Sequence, residues 1–453
     1  MSREPIAAAL AWLAAETRLA LTTFSGPQAA QARNARLRAV DVALVVAAAA
    51  LPWTTAGALG ALIAAFALLL LTTRYAQWPS TLARPACGLT LAIFLLALAG
   101  TLWAHGVSGH DKLRAIGQVY KLTMIPLLVI HYRESPRAGW VLAAFVASNV
   151  ALLAFSYGVY ALPQAALVDK PDQPGVAVKN YIDQSHGFAL CAVALAALAI
   201  DGARAGLSRR AALFGALAAA FVLNLAFVNL ARTAFVYLPV MALLLLIRSL
   251  SGRRLALAVA ALAVAAAAAF AASPNLQHKA ARISSETARY GAPIGAEGPA
   301  SAAMRLEYWQ KSLAFIRAAP LIGHGTGAIR ELFQRDAAGK TDLEALVTYN
   351  PHNQTLATAL QWGLVGVALL WAMWASHLVL FRWMAGFAGF IGLVAVTQNI
   401  LGSLFNSHLF DFYQGWVYVL AVGIAGGVVM RERLGTAGPR RNPYPSMSIG
   451  DRS

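Results

Sequence analysis

The chain has 453 residues, of which 59% are hydrophobic and only 12% are charged. Soluble domains carry about 25% charged residues, so this composition excludes an ordinary soluble protein and indicates that lipid is the solvent. The formal net charge of +17 would indicate nucleic-acid binding in a soluble protein, but here most basic residues lie in the terminal segments and in the loops between apolar segments.

Apolar stretches long enough to cross about 30 Å of hydrocarbon recur along the chain and predict an all-α polytopic membrane protein. There are twelve of them: 39–56, 57–73, 87–104, 115–131, 139–160, 185–201, 211–230, 233–247, 255–272, 353–376, 386–404 and 414–430. Because this number is even, we expect both termini on the same side of the membrane.

The arginine content of the short loops predicts the orientation. The N-terminal arm (1–38), the tail (431–453) and alternate loops are rich in arginine, as at Arg74, Arg133 and Arg210. The short loops of the other side contain few basic residues, namely Lys112, Arg114, Lys170, Lys179 and Arg232. By the positive-inside rule, the arginine-rich side is cytoplasmic. We therefore expect the chemistry of the protein on the opposite, outer side.

Two further features of the chain have structural interpretations. An apolar stretch from Ile6 to Leu21 is interrupted by Glu16 and Arg18, so we expect a helix at the cytoplasmic interface rather than a cleavable signal peptide or a thirteenth span. The cysteines, Cys87 and Cys191, lie in or beside predicted spans, where they are expected to be small core residues.

The segment 274–351 separates spans one to nine (39–273) from spans ten to twelve (352–430) and has no spanning stretch of its own. It is expected on the outer side. Within it, the pattern of apolar and polar residues predicts an amphipathic helix over Ala302–Ala318 and a second helix from Gly327 to about Ala337. The glycine-rich sequence between them lacks the spacing of a dinucleotide-binding loop and predicts a tight turn.

Three residues of the outer side are candidates for chemistry. Arg232 lies between two apolar runs with almost no loop. It is either an arginine at the membrane interface or a fixed cation that faces a polar cavity. Arg305 lies on the polar face of the predicted loop helix. It is either a solvated charge or a second cation that faces the same cavity as Arg232. Two arginines facing one cavity would suit a diphosphate, because guanidinium groups bind phosphate oxygens in pairs.

The third candidate is His352, which follows Pro351 where the large loop re-enters the membrane. Histidine accepts a proton near neutral pH, although a purely structural role is equally open on the sequence. No histidine–cysteine cluster has zinc-binding spacing, and Asp169, Asp172 and Asp183 are scattered along one loop. We therefore expect arginines, and not a metal, to bind anionic charge.

With these features, the chain resembles the O-antigen ligase family, within a wider group that includes O-antigen polymerases and protein O-oligosaccharyltransferases. The family's pattern has twelve spans, a large periplasmic loop near the C-terminal third, one arginine after a mid-chain span, a second in the loop, and a histidine followed by asparagine at the loop's end. Arg232, Arg305 and His352 occupy these positions. The motifs that carry the resemblance are 229–234, 304–309, 320–327 and 350–356.

The resemblance implies a glycosyltransferase of the GT-C type in the bacterial inner membrane, with no metal or other cofactor. Its donor would be a polysaccharide on undecaprenyl diphosphate, and its acceptor a sugar of lipid A–core on the periplasmic side. Arg232 and Arg305 would bind the diphosphate, and His352 would either accept the acceptor's proton, with inversion, or orient the acceptor. Further predicted substrate contacts are Lys179, Tyr349, Asn353 and Gln354.

Two other functions stay open on the sequence. An O-antigen polymerase would use the same residues and donor but would extend the glycan on its lipid carrier. A transporter of an anionic lipid or sugar would use Arg232 as a substrate site, but it gives no reason for the long outer loop that ends at His352. An inverted repeat would favour the transporter, and the sequence contains none that we detect.

Overall fold

The computed structural model describes residues 27–165, 173–176, 178–288, 301–384 and 386–436. This part of the chain is helical and contains no strand. The helices are α1 (Pro27–Ala50), α2 (Thr55–Thr72), α3 (Trp78–Leu82), α4 (Pro85–Ala99), α5 (Gly109–Val119), α6 (Met124–Glu134), α7 (Ala138–Ala161), α8 (Tyr181–Arg204), α9 (Ser208–Phe227), α10 (Ala234–Ser249), α11 (Gly252–Ala272), α12 (Pro274–Ala288), α13 (Ser301–Ala318), α14 (Ala328–Ala337), α15 (Gln354–Phe381), α16 (Gly386–Gly402) and α17 (Phe412–Thr436). The predicted interfacial helix over Ile6–Leu21 lies outside the described residues, as do Asp169, Lys170 and Asp172.

Each of the twelve predicted spans overlaps a helix, with 115–131 overlapping both α5 and α6, and the prediction of a polytopic, all-helical membrane protein is confirmed for the described residues. Within the described ranges, eight helical segments are long and apolar enough to cross a membrane, and one of them, Gly109–Glu134, combines α5 and α6. A ninth crossing would combine the two parts of a segment bent by 95° between Leu82 and Pro85, while α10 and α16 are shorter apolar helices. Helix α1 begins well before its predicted span and includes three arginines in its first half. The number of twelve crossings therefore stays a prediction.

Loops predicted on the same side of the membrane contact one another. On the arginine-rich side, Arg33 and Arg74 both form ion pairs with Glu134, at 2.7 and 3.4 Å. At the other end of the bundle, the backbone N–H of Gln354 donates to the carbonyl of Ser403 at 2.9 Å. The alternating direction of the helices thus agrees with the predicted topology, and the positive-inside rule supplies the expectation of which end is cytoplasmic.

The helices differ strongly in how much protein surrounds them. Helix α17 lies in the middle of the bundle, with Val419 and Val422 fully buried, whereas α11 has no buried residue. On α11, Leu257 and Val264 are 60% and 70% exposed. Such exposure of apolar side chains would be costly in water, but it is expected for a helix that faces lipid. Cys87 and Cys191 are both buried, as predicted.

The two helices predicted in the outer loop are present as α13 and α14. Two charged residues of α13 are buried, because Glu307 and Lys311 are only 9% and 8% exposed. The Lys311 ammonium forms an ion pair with Asp336 at 2.8 Å and donates to the carbonyl of Glu344. Burial is tolerated because these partners compensate the charge.

The glycine-rich turn between α13 and α14 packs into a break of α15. Gly363 has φ 59° and ψ −155° inside that helix, a conformation open almost exclusively to glycine. The backbone groups that lose their helical partners bond to the turn instead: Leu364 N–H donates to the carbonyl of Pro320, and the carbonyl of Gln361 accepts from Gly325 N–H, both at 2.8 Å. The predicted tight turn is confirmed, and it joins the outer loop firmly to a spanning helix.

Candidate functional site

Arg232 lies in the non-helical link between α9 and α10, where the backbone is held from two sides. The N–H of Ala231 donates to the Ser185 hydroxyl at 2.9 Å, and the Asn229 amide donates to the carbonyl of Pro174 at 3.1 Å. The guanidinium forms two hydrogen bonds with the Glu286 carboxylate, at 2.6 and 2.7 Å. The pair is largely buried, with side-chain exposures of 17% and 9%. Hydrogen bonding to Glu286 raises the pKa of Arg232, which is therefore a permanent cation.

Further cations from α12 and α13 surround this pair. Arg282 lies 3.4 Å from Glu286, and the Lys279 ammonium donates to the Asn229 side chain at 3.0 Å. Burial, together with the charges of Arg232 and Arg282, lowers the pKa of Lys279 to about 8. These residues and Arg305 form a group that we call the cationic cluster: Arg232, Lys279, Arg282 and Arg305.

Arg305 lies in the first half of α13 and connects the cluster to the loop that ends at His352. Burial lowers the pKa of Arg305, and the neighbouring charge of Arg232 lowers it further, while Tyr181 and Glu286 act in the opposite direction. Arg232 and Arg305 are therefore within electrostatic range of each other. Two partly buried guanidinium groups of like charge beside one carboxylate leave excess positive charge, which an anionic ligand would neutralise.

His352 lies in the short connection before α15, in a conformation rarely found outside glycine. Its φ is 56°, and its backbone N–H donates to the Asn350 side chain at 2.8 Å. The ring stacks on Tyr308 of α13, with 6.3 Å between centroids, and its Nδ1 atom lies 2.9 Å from Oδ1 of Asn406. Backbone strain of this kind is retained where the surrounding contacts fix the position, and it is frequent at functional sites.

The positive charge of Arg305 affects the pKa of His352. Burial lowers the pKa of His352, hydrogen bonding to Asn406 opposes this, and Arg305 lowers it again. Arg305 also adds to the effect of burial on His408, whose pKa falls to about 3. The structure thus brings together Arg232, Arg305 and His352, which are far apart in the sequence. A neutral imidazole beside a cationic cluster can accept a proton, and the cluster can stabilise developing negative charge.

The other predicted substrate contacts have partners within the protein. Asn353 caps α15 by accepting from the Leu356 N–H at 3.1 Å, and Gln354 is buried with its Oε1 3.3 Å from the Phe410 N–H. Tyr349 lies under the guanidinium groups of Arg114 and Arg330, at 3.9 and 5.0 Å from the ring centre. Lys179 donates to the carbonyl of Leu51 at 2.7 Å. Their contact with substrate stays a prediction.

Sequence reasoning missed three residues of this site: Glu286, Asn406 and Asp411. The Glu286 carboxylate accepts two hydrogen bonds from the Arg232 guanidinium. Asn406 lies between His352 and Asp411, with its Nδ2 atom 3.1 Å from the Asp411 carboxylate. Asn406 and Asp411 belong to the short segment between α16 and α17, which the sequence marks only as the connection between the last two predicted spans. The segment contains one asparagine and two serines among leucine and phenylalanine residues, and this sequence did not indicate which side chain would contact His352.

The described residues contain no group of three or more histidine, cysteine, aspartate or glutamate side chains that could hold a metal ion. The positively charged groups of this site are guanidinium and ammonium groups. That arginines, and not a metal, bind anionic charge stays a prediction.

The segment 214–371 matches the model of a protein family described as O-Antigen ligase. It runs from α9 to the middle of α15 and includes Arg232, Arg305 and His352. No curated protein matches the chain. The family match supports a ligase- or polymerase-type role in the O-antigen pathway, carried out by a glycosyltransferase-like membrane enzyme. It also supports the assignment of this chain to the O-antigen ligase family.

Proposed function

We propose that this protein transfers a polysaccharide from undecaprenyl diphosphate to a sugar of lipid A–core on the periplasmic side of the bacterial inner membrane. The observation that carries the proposal is the meeting of the cationic cluster with His352 at the end of the bundle predicted to face the periplasm. A lipid-linked donor brings its own diphosphate leaving group. The enzyme therefore needs fixed cations and a base, and this site offers both.

The donor's diphosphate would bind at Arg232 and Arg305, with Lys279 and Arg282 adding charge. The Glu286 carboxylate holds the Arg232 guanidinium in a two-pronged arrangement at 2.6 and 2.7 Å, which is the geometry that a phosphate group would also use. The diphosphate would thus displace Glu286 from the Arg232 guanidinium or share the guanidinium with it.

Transfer would be a direct displacement with inversion at the anomeric carbon. The acceptor hydroxyl oxygen forms the new bond to this carbon, and its proton passes to the His352 imidazole. The bond from the anomeric carbon to the phosphate oxygen breaks, and its electron pair leaves with undecaprenyl diphosphate. Negative charge grows on that oxygen as the bond breaks, and the cationic cluster stabilises it more strongly in the transition state than in the ground state.

A cellular experiment tests the proposal. A strain that lacks its ligase for the same glycan and core is given this chain or a variant, and its lipopolysaccharide is separated by gel electrophoresis. We expect the unaltered chain to restore glycan on the core, and His352→Gln, Arg232→Ala and Arg305→Ala to abolish it at equal protein abundance in the membrane.

Two matched variants control for the loss of a histidine or an arginine. His110, whose side chain is 78% exposed, is replaced in His110→Gln, and the exposed Arg317 in the last turn of α13 is replaced in Arg317→Ala. Both should retain transfer. In a second strain, which keeps its ligase but lacks its polymerase, core that carries single repeat units when the chain is absent and a ladder when it is present would instead identify a polymerase. Accumulation of untransferred glycan on the cytoplasmic side when the chain is absent would favour a transporter.

A further inference from the structure

The orientation of the Asn406 side chain is set by its two partners. Nδ2 lies 3.1 Å from Oδ2 of Asp411, and Oδ1 lies 2.9 Å from Nδ1 of His352. An ionised carboxylate only accepts hydrogen bonds, so the amide must direct its N–H groups toward Asp411. Its oxygen, which only accepts, is then left to face the histidine.

This orientation determines which nitrogen of His352 carries the proton. Nδ1 must be protonated in order to donate to Oδ1 of Asn406, and in the neutral ring Nε2 is then the unprotonated nitrogen. Among the described residues, no hydrogen-bond partner contacts Nε2. Its lone pair is thus available to a proton from outside the protein.

We infer that Asn406, held by Asp411, is a positioning residue that fixes the tautomer and the ring orientation of His352, with Nε2 as the atom that accepts the acceptor's proton. The inference rests on the proposed function. It adds an Asp411–Asn406–His352 chain in which each group orients the next, which is the general way that a catalytic base is prepared for its task.

The segment between α16 and α17 that presents Asn406 is itself held in place. Its Ser407 hydroxyl donates to Oδ1 of Asn350 at 2.7 Å, and the same oxygen accepts from the backbone N–H of His352. The Lys121 ammonium donates to the carbonyls of Phe410 and Asp411, at 3.1 and 2.6 Å. Both the backbone and the ring of His352 are therefore fixed by one anchored segment, as a preorganised site requires.

The tautomer can be observed directly. Solid-state nitrogen NMR of the protein in lipid, with ring-labelled histidine and the His352 signals assigned by their loss in His352→Gln, distinguishes a protonated from an unprotonated ring nitrogen. At a mildly alkaline pH, we expect His352 to carry its proton on Nδ1. A proton on Nε2 in the unaltered protein would overturn the inference.

Variants of Asn406 test its consequence for transfer. In Asn406→Leu, the ring loses its acceptor, so we expect a mixture of tautomers and a fall in kcat of about tenfold or more, with the KM of donor and acceptor little changed. Asn406→Asp places a second carboxyl group against Asp411, so the two groups share one proton, and an oxygen of the new side chain still accepts from Nδ1–H; the variant should keep the tautomer and most of the rate. Asn149→Leu removes another buried amide, which donates to the carbonyl of Phe145 in its own helix, and should leave tautomer and kcat unchanged.

The outcomes separate the inference from the proposed function. An unchanged tautomer and kcat in Asn406→Leu would overturn the positioning role. If Asn406→Leu fails to reach the membrane, the tautomer of the unaltered protein and the rate of Asn406→Asp still test the positioning role of Asn406. If the unaltered protein shows the Nδ1 proton but transfers no glycan, the proposed function fails and the orientation of His352 by Asn406 stands.

Discussion

The guanidinium of Arg232 and the carboxylate of Glu286 are joined by two short hydrogen bonds, of 2.6 Å from Nη1 to Oε2 and 2.7 Å from Nη2 to Oε1. Glu286 also accepts from the backbone N–H of Ala302 at 3.1 Å, which ties the start of α13 to the same pair. Burial alone would raise the pKa of Glu286, but Arg232, Ala302 and Arg282 lower it, so the carboxylate is ionised at neutral pH. A donor diphosphate must compete with this carboxylate for Arg232.

Glu286→Gln should therefore strengthen donor binding. The amide keeps a hydrogen bond to Arg232 but loses the negative charge, so we expect the KM for the lipid-linked donor to fall several-fold and the acceptor KM to stay constant. Steady-state kinetics with both substrates measure this. Glu331→Gln, which removes a carboxylate paired with Arg335 one helical turn away, is the control. A rise in donor KM would mean that Glu286 chiefly holds Arg232 in position.

Arg305 should contribute to the chemical step more than to binding. Removing a preorganised cation from a developing oxyanion typically costs about a hundredfold to a thousandfold in kcat, and we expect a loss of this order for Arg305→Ala. Arg305→Lys should recover part of the rate, because it restores the charge without the paired donors. Single-turnover measurements with bound donor would report the step itself. Equal losses for Arg305→Ala and Arg317→Ala would contradict a specific role.

Transfer should require an unprotonated Asp411. Burial raises the pKa of Asp411 to about 7, with Lys121 lowering it and Asp183 raising it. As pH falls through about 7, a protonated Asp411 can donate to Asn406, so the amide can turn and the proton of His352 can move to Nε2. The pKa of His352 itself lies below its ordinary value, so its protonation follows at lower pH. We expect kcat to fall on the acidic side of neutrality.

Asp411→Asn provides the test of this pH dependence. The variant lacks the titration near neutrality, so its acidic limb should move to lower pH, although its maximal rate is reduced because an amide can turn either way. A pH profile that is the same in the variant and the unaltered protein would assign the limb to another group.

The break in α15 should depend on Gly363. A side chain there would require a strained backbone with φ 59° and would overlap the carbonyl of Leu321. We expect Gly363→Ala to destabilise the protein by about 3 kcal/mol or more, measured as a loss of thermal stability in detergent. Gly60→Ala is the matched control, because a Cβ in the middle of α2 meets open space, and it should be neutral or stabilising by up to about 1 kcal/mol.

Much of the fold could be predicted from the sequence, because the spanning helices are specified by local composition. Long apolar runs predicted the helices, and the arginines of alternate loops predicted their alternating direction. The outer-loop helices α13 and α14 followed from the spacing of apolar residues and from the glycines between them. The burial of Lys311 could not be predicted in this way, because it depends on Asp336, which reaches it from another helix.

The candidate site was predictable at the residues that are unusual in their local setting. Arg232 lies between two spans without a loop, and His352 follows Pro351 at the re-entry of the chain, so each is visible in the sequence. Glu286 is an ordinary glutamate of a polar helix, and Asn406 is an ordinary loop asparagine. Their importance arises from contacts 54 residues away in each case, with Arg232 and with His352. Only the folded chain shows these contacts.

The most direct test of the proposed function is a transfer assay with purified protein, undecaprenyl-diphosphate-linked glycan and lipid A–core, carried out with a chelator present. We expect glycan to appear on the core with the unaltered protein, and none with His352→Gln, while His110→Gln remains active. Longer glycan on the lipid carrier with none on the core, or undiminished transfer by His352→Gln, would contradict the account.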